Sequence, residues 1–249
     1  MSAFVLKIIA MITMFIDHFG ARLMGNMPAM RVVGRIAFVL YAFMAVEGFR
    51  HTSNRSKYLL KLFILAIVSE IPFNLMEYRT LIYMGNRNVI FTIFIGILVL
   101  VGYEKLSQKQ NLSKIKYDLL IELTLLGTLI TSLIKSDYSL SGVPLIISFY
   151  LWNREGKYRV PWLFAILTGF YILHVFGIVD DFIIQKVIDN FYTRKLWIFF
   201  GVFLASPFLL LYNGAKGWSS KEFKWFYWSW YPFHMLLIYA METVVRTMV

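Results

Sequence analysis

The sequence predicts an all-α fold, a polytopic bundle of about nine transmembrane helices that forms one domain over residues 1–249. Hydrophobic residues make up 59% of the chain and charged residues only 16%, and the mean hydropathy is +0.65. Soluble domains carry about 45–50% apolar and about 25% charged residues, and no single core of this size would bury the excess. The apolar residues also fall into runs of about 20, the length of helix that crosses a bilayer core of about 30 Å.

Nine apolar segments follow one another without an internal repeat or a long linker. The first contains an acid–imidazole pair and is not followed by a small-residue cleavage site, so we expect a retained spanning helix rather than a signal peptide. The sixth is short and begins with Gly142 and Pro144, which favours a re-entrant or tilted segment over a full span. In chain order the predicted segments are 4–23, 32–50, 58–76, 88–104, 118–134, 140–152, 161–179, 195–212 and 226–246.

The positive charge of the chain follows alternate loops. The formal net charge is +11, and the basic residues are concentrated in the segments 50–61, 104–118, 153–160 and 213–224. Such alternation reports topology in a membrane protein, so it does not call for a nucleic-acid partner. We expect a cytoplasmic N-terminus, a multi-pass chain in the plasma (inner) membrane and, with nine spans, a C-terminus outside.

Polar residues of the first four segments are predicted to converge in the outer half of the membrane. An ionisable side chain inside a spanning helix costs about 2.5–3.5 kcal/mol on insertion scales, and such residues usually mark functional sites. On the first helix, steps of three and four residues place Lys7, Met14, His18 and Arg22 on one face. The predicted outer layer comprises Asp17, His18, Arg35, Glu70, Asn74, Asn88 and Thr92.

His18 is the candidate reactive centre of this layer. An imidazole titrates near neutrality, so it can take a proton from an attacking amine or hydroxyl and return it. Asp17 directly precedes it, and neighbours on a helix point about 100° apart, so we expect Asp17 to tune the local field or to pair with Arg35 rather than bond His18. Glu70 could be a second acid or base, but a salt bridge with Arg35 is favoured. The alternative for the pair is purely structural, a buried His–Asp pair that holds helices together.

The remaining histidines give no metal site. His234 either lines the same cavity or makes a hydrogen bond between helices, and the sequence favours neither. His174 lacks convergent partners, which favours a structural role, and Glu47 with His51 is best interpreted as a helix-end pair. The four His are scattered, and the chain has no Cys, which excludes thiolate ligands, thiol nucleophiles and disulfides.

The basic segment that follows the second apolar run is a candidate phosphate site. Arg50, Arg55 and Lys57 offer guanidinium forks and an ammonium charge that suit the oxygens of a polyphosphate. The alternative explanation is that these positive charges only set the orientation of the helices in the membrane. Together with a base in the membrane, the segment suggests a reaction whose phosphorylated donor substrate comes from the cytosol.

The chain resembles the TraX family, membrane proteins associated with N-acetylation of conjugative pilin. Seven blocks occur in family order along nearly the whole chain, which makes the match specific although each block is weak. Ser139 and Leu140 stand where the family pattern leads us to expect small or glycine residues, a departure that concerns a local turn. The blocks are Leu6–Gly20, Gly34–Lys61, Ser69–Leu75, Asn88–Gly96, Asp137–Val143, Leu211–Gly217 and Tyr231–Tyr239. The pair Asp17–His18 followed by the Arg35 helix is also distantly similar to other transmembrane acyltransferases.

This resemblance implies an acetyltransferase that takes its acetyl group from cytosolic acetyl-CoA. By motif position, Asp17 and His18 correspond to the catalytic pair. The resemblance names no acceptor, and we expect a peptide amine or a glycan hydroxyl. It also implies that the residues that bind the donor or shape the cavity are Arg35, Glu47, Arg50, His51, Arg55 and Tyr58.

A second class of function stays open at this stage. Asp17, His18 and Glu70 would suit the proton relay of a coupled transporter, although such proteins show inverted repeats and paired broken helices, which the sequence lacks. A non-catalytic scaffold would leave the outer polar layer without a purpose. The sequence therefore favours an acyltransferase with acetyl-CoA, membrane lipid and an unidentified acceptor as its partners.

Overall fold

The computed structural model describes residues 1–109, 116–185 and 198–248, and these residues form helices, turns and loops without a β-strand. The predicted all-α class is therefore confirmed for the described chain. The first four helices are long and apolar enough to cross a membrane, by length and composition. They are α1 (Ala3–Arg22), α2 (Pro28–His51), α3 (Arg55–Tyr78) and α4 (Val89–Lys109).

The helices in the second half of the chain differ widely in length, from 5 to 28 residues. Its helices are α5 (Lys116–Leu133), α6 (Gly142–Leu151), α7 (Arg159–Gln185), α8 (Ser206–Leu210) and α9 (Lys221–Met248), with a 3₁₀ turn at Gly201–Ala205 directly before α8. At about 1.5 Å per residue, α6 is about half the length that a bilayer core requires. The short sixth segment thus forms a ten-residue helix. The predicted segments 161–179 and 226–246 lie within α7 and α9, whereas 195–212 begins outside the described residues. The total of nine spans and the N-terminal orientation stay predictions.

Local sequence signals set the ends of α3. The side chain of Asn54 accepts a hydrogen bond from the backbone N–H of Lys57 at 2.8 Å, which satisfies one of the free donors at the helix start. At the other end Arg79 has a φ of 56°, and its N–H bonds to the carbonyl of Leu75. This left-handed residue ends the helix and turns the chain back towards α4.

The α2 helix lies at the centre and packs against α1, α4, α6 and the 3₁₀ turn. Glycine permits the two closest approaches. A Cβ on Gly34 would lie 2.2 Å from the Asp17 side chain, and one on Gly201 would lie 2.1 Å from the backbone oxygen of Val32. The bundle therefore places the polar part of α1 directly against α2.

The loop between α5 and α6 is fixed to the start of α4. The N–H of Arg87 donates to the carbonyl of Lys135 at 3.0 Å, and the N–H of Asp137 donates to the carbonyl of Arg87 at 3.1 Å. Tyr138 has a φ of 57°, and the N–H of Gly142 donates to its carbonyl at 2.7 Å. The turn forms without a glycine at its left-handed position, and it brings the Tyr138 ring to α2.

Two helices expose apolar side chains that a bilayer would cover. Large hydrophobic residues on α3 and α5 are at least half exposed, among them Ile64, Val68, Leu125 and Leu129. An exposed apolar surface of this kind on a helix with a spanning length fits a lipid environment. On α3, Ser69 and Asn74 are buried on the opposite, inner side of the helix.

Candidate functional site

A cavity of about 1120 Å³ lies between α1, α2, α3, α9 and the loop before α6. It is lined by Asp17 and His18 near the end of α1 and by Lys7 near the beginning of that helix. Those two levels are separated by about 16 Å along α1, at about 1.5 Å per residue. The cavity thus reaches most of the way along a helix of spanning length.

An ionic cluster forms the cavity wall beside His18. The carboxylate of Asp17 forms salt bridges with Arg31, at 2.9 Å, and with Arg35. The Arg35 Nη1 donates to the Tyr138 hydroxyl at 3.0 Å. The predicted Asp17–Arg35 pair is confirmed. Arg31 was missed, although its position one helical turn before Arg35 places it on the same face of α2.

His18 is hydrogen-bonded to His234 of α9. The His18 Nδ1 lies 2.8 Å from the His234 Nε2, and the His234 Nδ1 lies 2.9 Å from the carbonyl oxygen of Trp230. The two rings are nearly parallel, with an interplanar angle of 6°. Of the two sequence alternatives, the structure gives His234 the hydrogen bond between helices, since its side chain is fully buried and does not line the cavity.

This chain of hydrogen bonds fixes the tautomer of both neutral rings. A carbonyl oxygen only accepts, so the Nδ1–H of His234 must donate to Trp230 and its Nε2 must accept. The Nδ1–H of His18 is then the donor to His234, and the His18 Nε2 carries a free lone pair. No other described side chain bonds to the His18 ring, and that ring lines the cavity. The site offers one oriented base or nucleophile.

Glu70 belongs to a different cluster, and the predicted salt bridge between Glu70 and Arg35 is wrong. The Glu70 carboxylate instead pairs with Arg87 at 3.3 Å and accepts hydrogen bonds from the backbone N–H and the side-chain amide of Asn88, at 3.0 and 2.6 Å. Glu70 and Asn88 do not line the cavity. The predicted depth of Glu70 allowed a pair with Arg35, but Arg87 and the buried Asn88, just before α4, are the groups that bond to it.

Asn74 and Thr92 are also buried outside the cavity lining. The Asn74 amide donates to the carbonyl of Leu81 at 3.4 Å. The Thr92 hydroxyl lies 2.8 Å from that of Ser136 and bonds the carbonyl of Asp137. These residues hold the loops against α3 and α4, so only part of the predicted outer layer meets at the cavity.

The basic segment after α2 is divided by the structure. His51 and Tyr58 line the cavity. Arg50 instead pairs with Glu47 at 3.0 Å and donates to the carbonyl of Tyr150 at 2.8 Å, and Lys57 is exposed.

Arg55, the third cation of that segment, also lies outside the cavity lining. It pairs with Glu104 and stacks on the Phe49 ring at 4.7 Å. None of the three predicted phosphate-binding cations, Arg50, Arg55 and Lys57, lines the cavity.

Four other lysines line the cavity, namely Lys7, Lys135, Lys216 and Lys224. Helical spacing predicts Lys7 on the His18 face, and Lys216 lies in the block Leu211–Gly217. Neither position revealed that the loop with Lys216 lies against α1, because the backbone hydrogen bonds join the beginning of the chain to its last quarter.

The other histidines complete the cavity wall without forming a metal centre. The His174 ring lines the cavity and stacks on Phe199, with ring centroids 3.7 Å apart. Within the described ranges, no three His, Asp or Glu side chains come together in a group that could hold a metal ion.

Comparison with known proteins gives two matches over nearly the whole chain. The model of a family described as TraX protein matches residues 2–242. A probable fimbrial assembly protein FimC, serogroup H1, from Dichelobacter nodosus is 24% identical over 253 residues, which cover 95% of this chain and 94% of that protein. No solved structure matches the chain.

Proposed function

The chain belongs to the TraX family, and we propose that it is a membrane-embedded acyltransferase. It would move an acetyl group from cytosolic acetyl-CoA to an amine or hydroxyl of an acceptor at the outer half of the plasma (inner) membrane. The single observation that carries this proposal is the His18 imidazole, which His234 orients so that a free Nε2 is left in a cavity. The association of the family with pilin acetylation supports acetyl transfer as the reaction.

In the direct reaction, His18 acts as the general base. Its Nε2 takes a proton from the acceptor N–H or O–H while the acceptor atom attacks the thioester carbonyl carbon. The C–S bond of the tetrahedral intermediate then breaks, and the imidazolium returns the proton to the leaving thiolate. The products are an acetylated acceptor and free CoA. A second route forms acetyl-His18 first and transfers the acetyl group from it to the acceptor.

The ionic cluster supplies positive charge where the oxyanion develops. Two guanidinium groups, those of Arg31 and Arg35, share one carboxylate, that of Asp17, in the wall beside His18. One well-placed donor to an oxyanion contributes about 3–4 kcal/mol to an acyl transfer. Asn88 is a poorer candidate for this role, because its amide already donates to Ala66 and Glu70.

The acceptor is proposed as a peptide N-terminus or a cell-surface glycan. The relative from Dichelobacter nodosus is named a fimbrial assembly protein, which supports a protein acceptor of an extracellular fibre. A proton-coupled transporter is the less supported alternative. Its relay of Asp17, His18 and Glu70 would need the Glu70 carboxylate in the cavity, whereas that carboxylate is bonded to Arg87 and Asn88.

Transfer of labelled acetyl from acetyl-CoA to material in membranes that contain the full chain tests the proposal. We expect His18→Ala to lower the rate by about 10²–10⁴, the usual contribution of a general base. Thr13→Val is the matched control on the same helix, because the Thr13 hydroxyl bonds only to backbone of its own helix. An unchanged rate in His18→Ala would remove His18 from the mechanism.

A further inference from the structure

Backbone hydrogen bonds bring Lys216 beside α1 at one end of the cavity. The N–H groups of Ala3 and Phe4 donate to the carbonyls of Ala215 and Lys216 at 2.8 and 3.2 Å. Gly217 has a φ of 69°, and a Cβ there would lie 2.4 Å from the Ser2 hydroxyl. The loop before α9 is thus fixed against the start of α1, with Lys216 beside that helix.

Three ammonium groups, those of Lys7, Lys216 and Lys224, belong to residues that line this part of the cavity. The Lys7 Nζ lies 4.8 Å from the centroid of the Tyr227 ring, one turn of α9 beyond Lys224. The carbonyl of Lys216 accepts the N–H of Phe4, one turn of α1 before Lys7. Among the described residues, none of the three forms a salt bridge. The acidic residues that line the cavity are Asp17, Glu77 and Asp137, and two of these have arginine partners, Asp17 with Arg31 and Arg35 and Glu77 with Arg22.

Like charges that the fold holds together are unfavourable until an anion joins them. Phosphate groups suit such a site, because each ammonium offers three donors to phosphate oxygens. Ser219, Tyr227 and Trp228 line the same cavity. They provide a further hydroxyl donor and apolar surface for the rest of a nucleotide.

The distance to His18 restricts what such a ligand can be. A phosphate at the level of Lys7 and an acyl carbon at the level of His18 are about 16 Å apart along α1. A small acyl phosphate cannot reach both positions at once. The ligand needs phosphates at one end, an acyl group at the other and a long flexible arm between them.

From these observations we infer that Lys7, Lys216 and Lys224 bind the phosphates of an acyl-CoA donor, whose arm extends through the cavity to His18. The inference rests on the proposed function, and it moves the donor site away from Arg50, Arg55 and Lys57. It also assigns Lys216, in the loop before α9, a role in binding the donor.

Calorimetric titration of CoA into the full-length protein in phosphatidylcholine nanodiscs tests the lysine site. We expect the triple variant Lys7→Gln, Lys216→Gln, Lys224→Gln to bind CoA about tenfold more weakly or worse, and Lys216→Gln alone about threefold more weakly. Lys221→Gln is the matched control, because Lys221 also lies in the first turn of α9 but does not line the cavity. Wild-type affinity should fall from CoA to 3′-dephospho-CoA to pantetheine.

Equal CoA affinity in the triple variant and the wild type would overturn the inference, as would a loss of CoA binding confined to Arg55→Gln and Lys57→Gln. If the triple variant does not fold, Lys216→Gln decides the question, because Lys216 is an exposed loop residue. Nanodiscs with phosphatidylglycerol separate the two phosphate sources: lysines that serve only lipid headgroups would change the response to anionic lipid and leave CoA affinity unchanged. His18→Ala should bind CoA normally, so failure of the base and failure of the lysine site are distinguishable.

Discussion

Two polar clusters that lie in the same half of the bundle differ in how their hydrogen bonds are completed. In the first, which we call the anchor cluster, Glu70, Arg87 and Asn88 satisfy one another and join the end of α3 to the start of α4. In the second, the cavity cluster, His18 uses one ring nitrogen for His234 and keeps the other free. Buried polar groups that are all paired stabilise a fold, whereas an accessible free lone pair can react.

The comparison explains why polarity inside a membrane segment is an incomplete sign of function. Both clusters carry the insertion cost of ionisable residues, and the depth predicted from the sequence is the same for both. Of the anchor cluster only Arg87 lines the cavity, and its guanidinium is paired with Glu70, whereas His18 lines the cavity with one ring nitrogen unpaired. Function therefore follows from access and from the unpaired atom rather than from burial of charge.

The largest effect expected from a residue outside the cavity lining is that of His234. Replacing it with alanine removes the acceptor that holds the His18 Nδ1–H, so the imidazole would lose its tautomer and orientation. We predict that His234→Ala lowers kcat by about 10–100-fold, the usual cost of losing an orienting partner, with little change in KM for acetyl-CoA. Steady-state kinetics with the full chain measure both parameters.

Partial rescue by His234→Gln distinguishes positioning from packing, because a glutamine carbonyl can accept the His18 proton. A role in packing alone would lower the amount of folded protein and leave kcat per folded molecule unchanged. That outcome would contradict the claim that the cavity cluster orients a reactive His18 whereas the anchor cluster only stabilises the fold.

A smaller effect of a different kind is expected in the anchor cluster. Glu70→Gln keeps the shape of the side chain but removes the negative charge to which Arg87 and Asn88 are bonded. We predict a loss of about 1–3 kcal/mol in the free energy of unfolding and no change in kcat for the folded protein. Glu155→Gln, in the exposed loop after α6, is the control and should leave both quantities unchanged. A large fall in kcat with Glu70→Gln would instead support the proton relay.

The sequence predicted well what is local to one helix or to consecutive helices. Hydropathy located α1 to α4, and helical spacing with charge complementarity predicted the Asp17–Arg35 pair. The same reasoning assigned Glu70 to Arg35 incorrectly, since depth in the membrane does not specify the lateral position of a side chain. Arg87, which is the observed partner, lies in a loop whose path the sequence pattern does not determine.

The sequence pattern could not predict contacts between residues near opposite ends of the chain. The bond between His18 and His234 joins residues 216 positions apart, and Lys216 lies beside the start of α1 because Ala3 and Phe4 bond the loop before α9. Nothing in periodicity or composition pairs such positions. These residues were sequence candidates or lay in family blocks. Only the fold shows that they lie close together.

Chemical modification by diethyl pyrocarbonate, which acylates accessible unprotonated imidazoles, tests the central claim most directly. Mass spectrometry of the modified full chain should find acylation at His18 and at the exposed His51, and none at the fully buried His234. Saturating CoA should slow the reaction at His18. A His18 that stays unmodified while His51 reacts completely would show that its Nε2 is not available in the cavity, and would contradict the account.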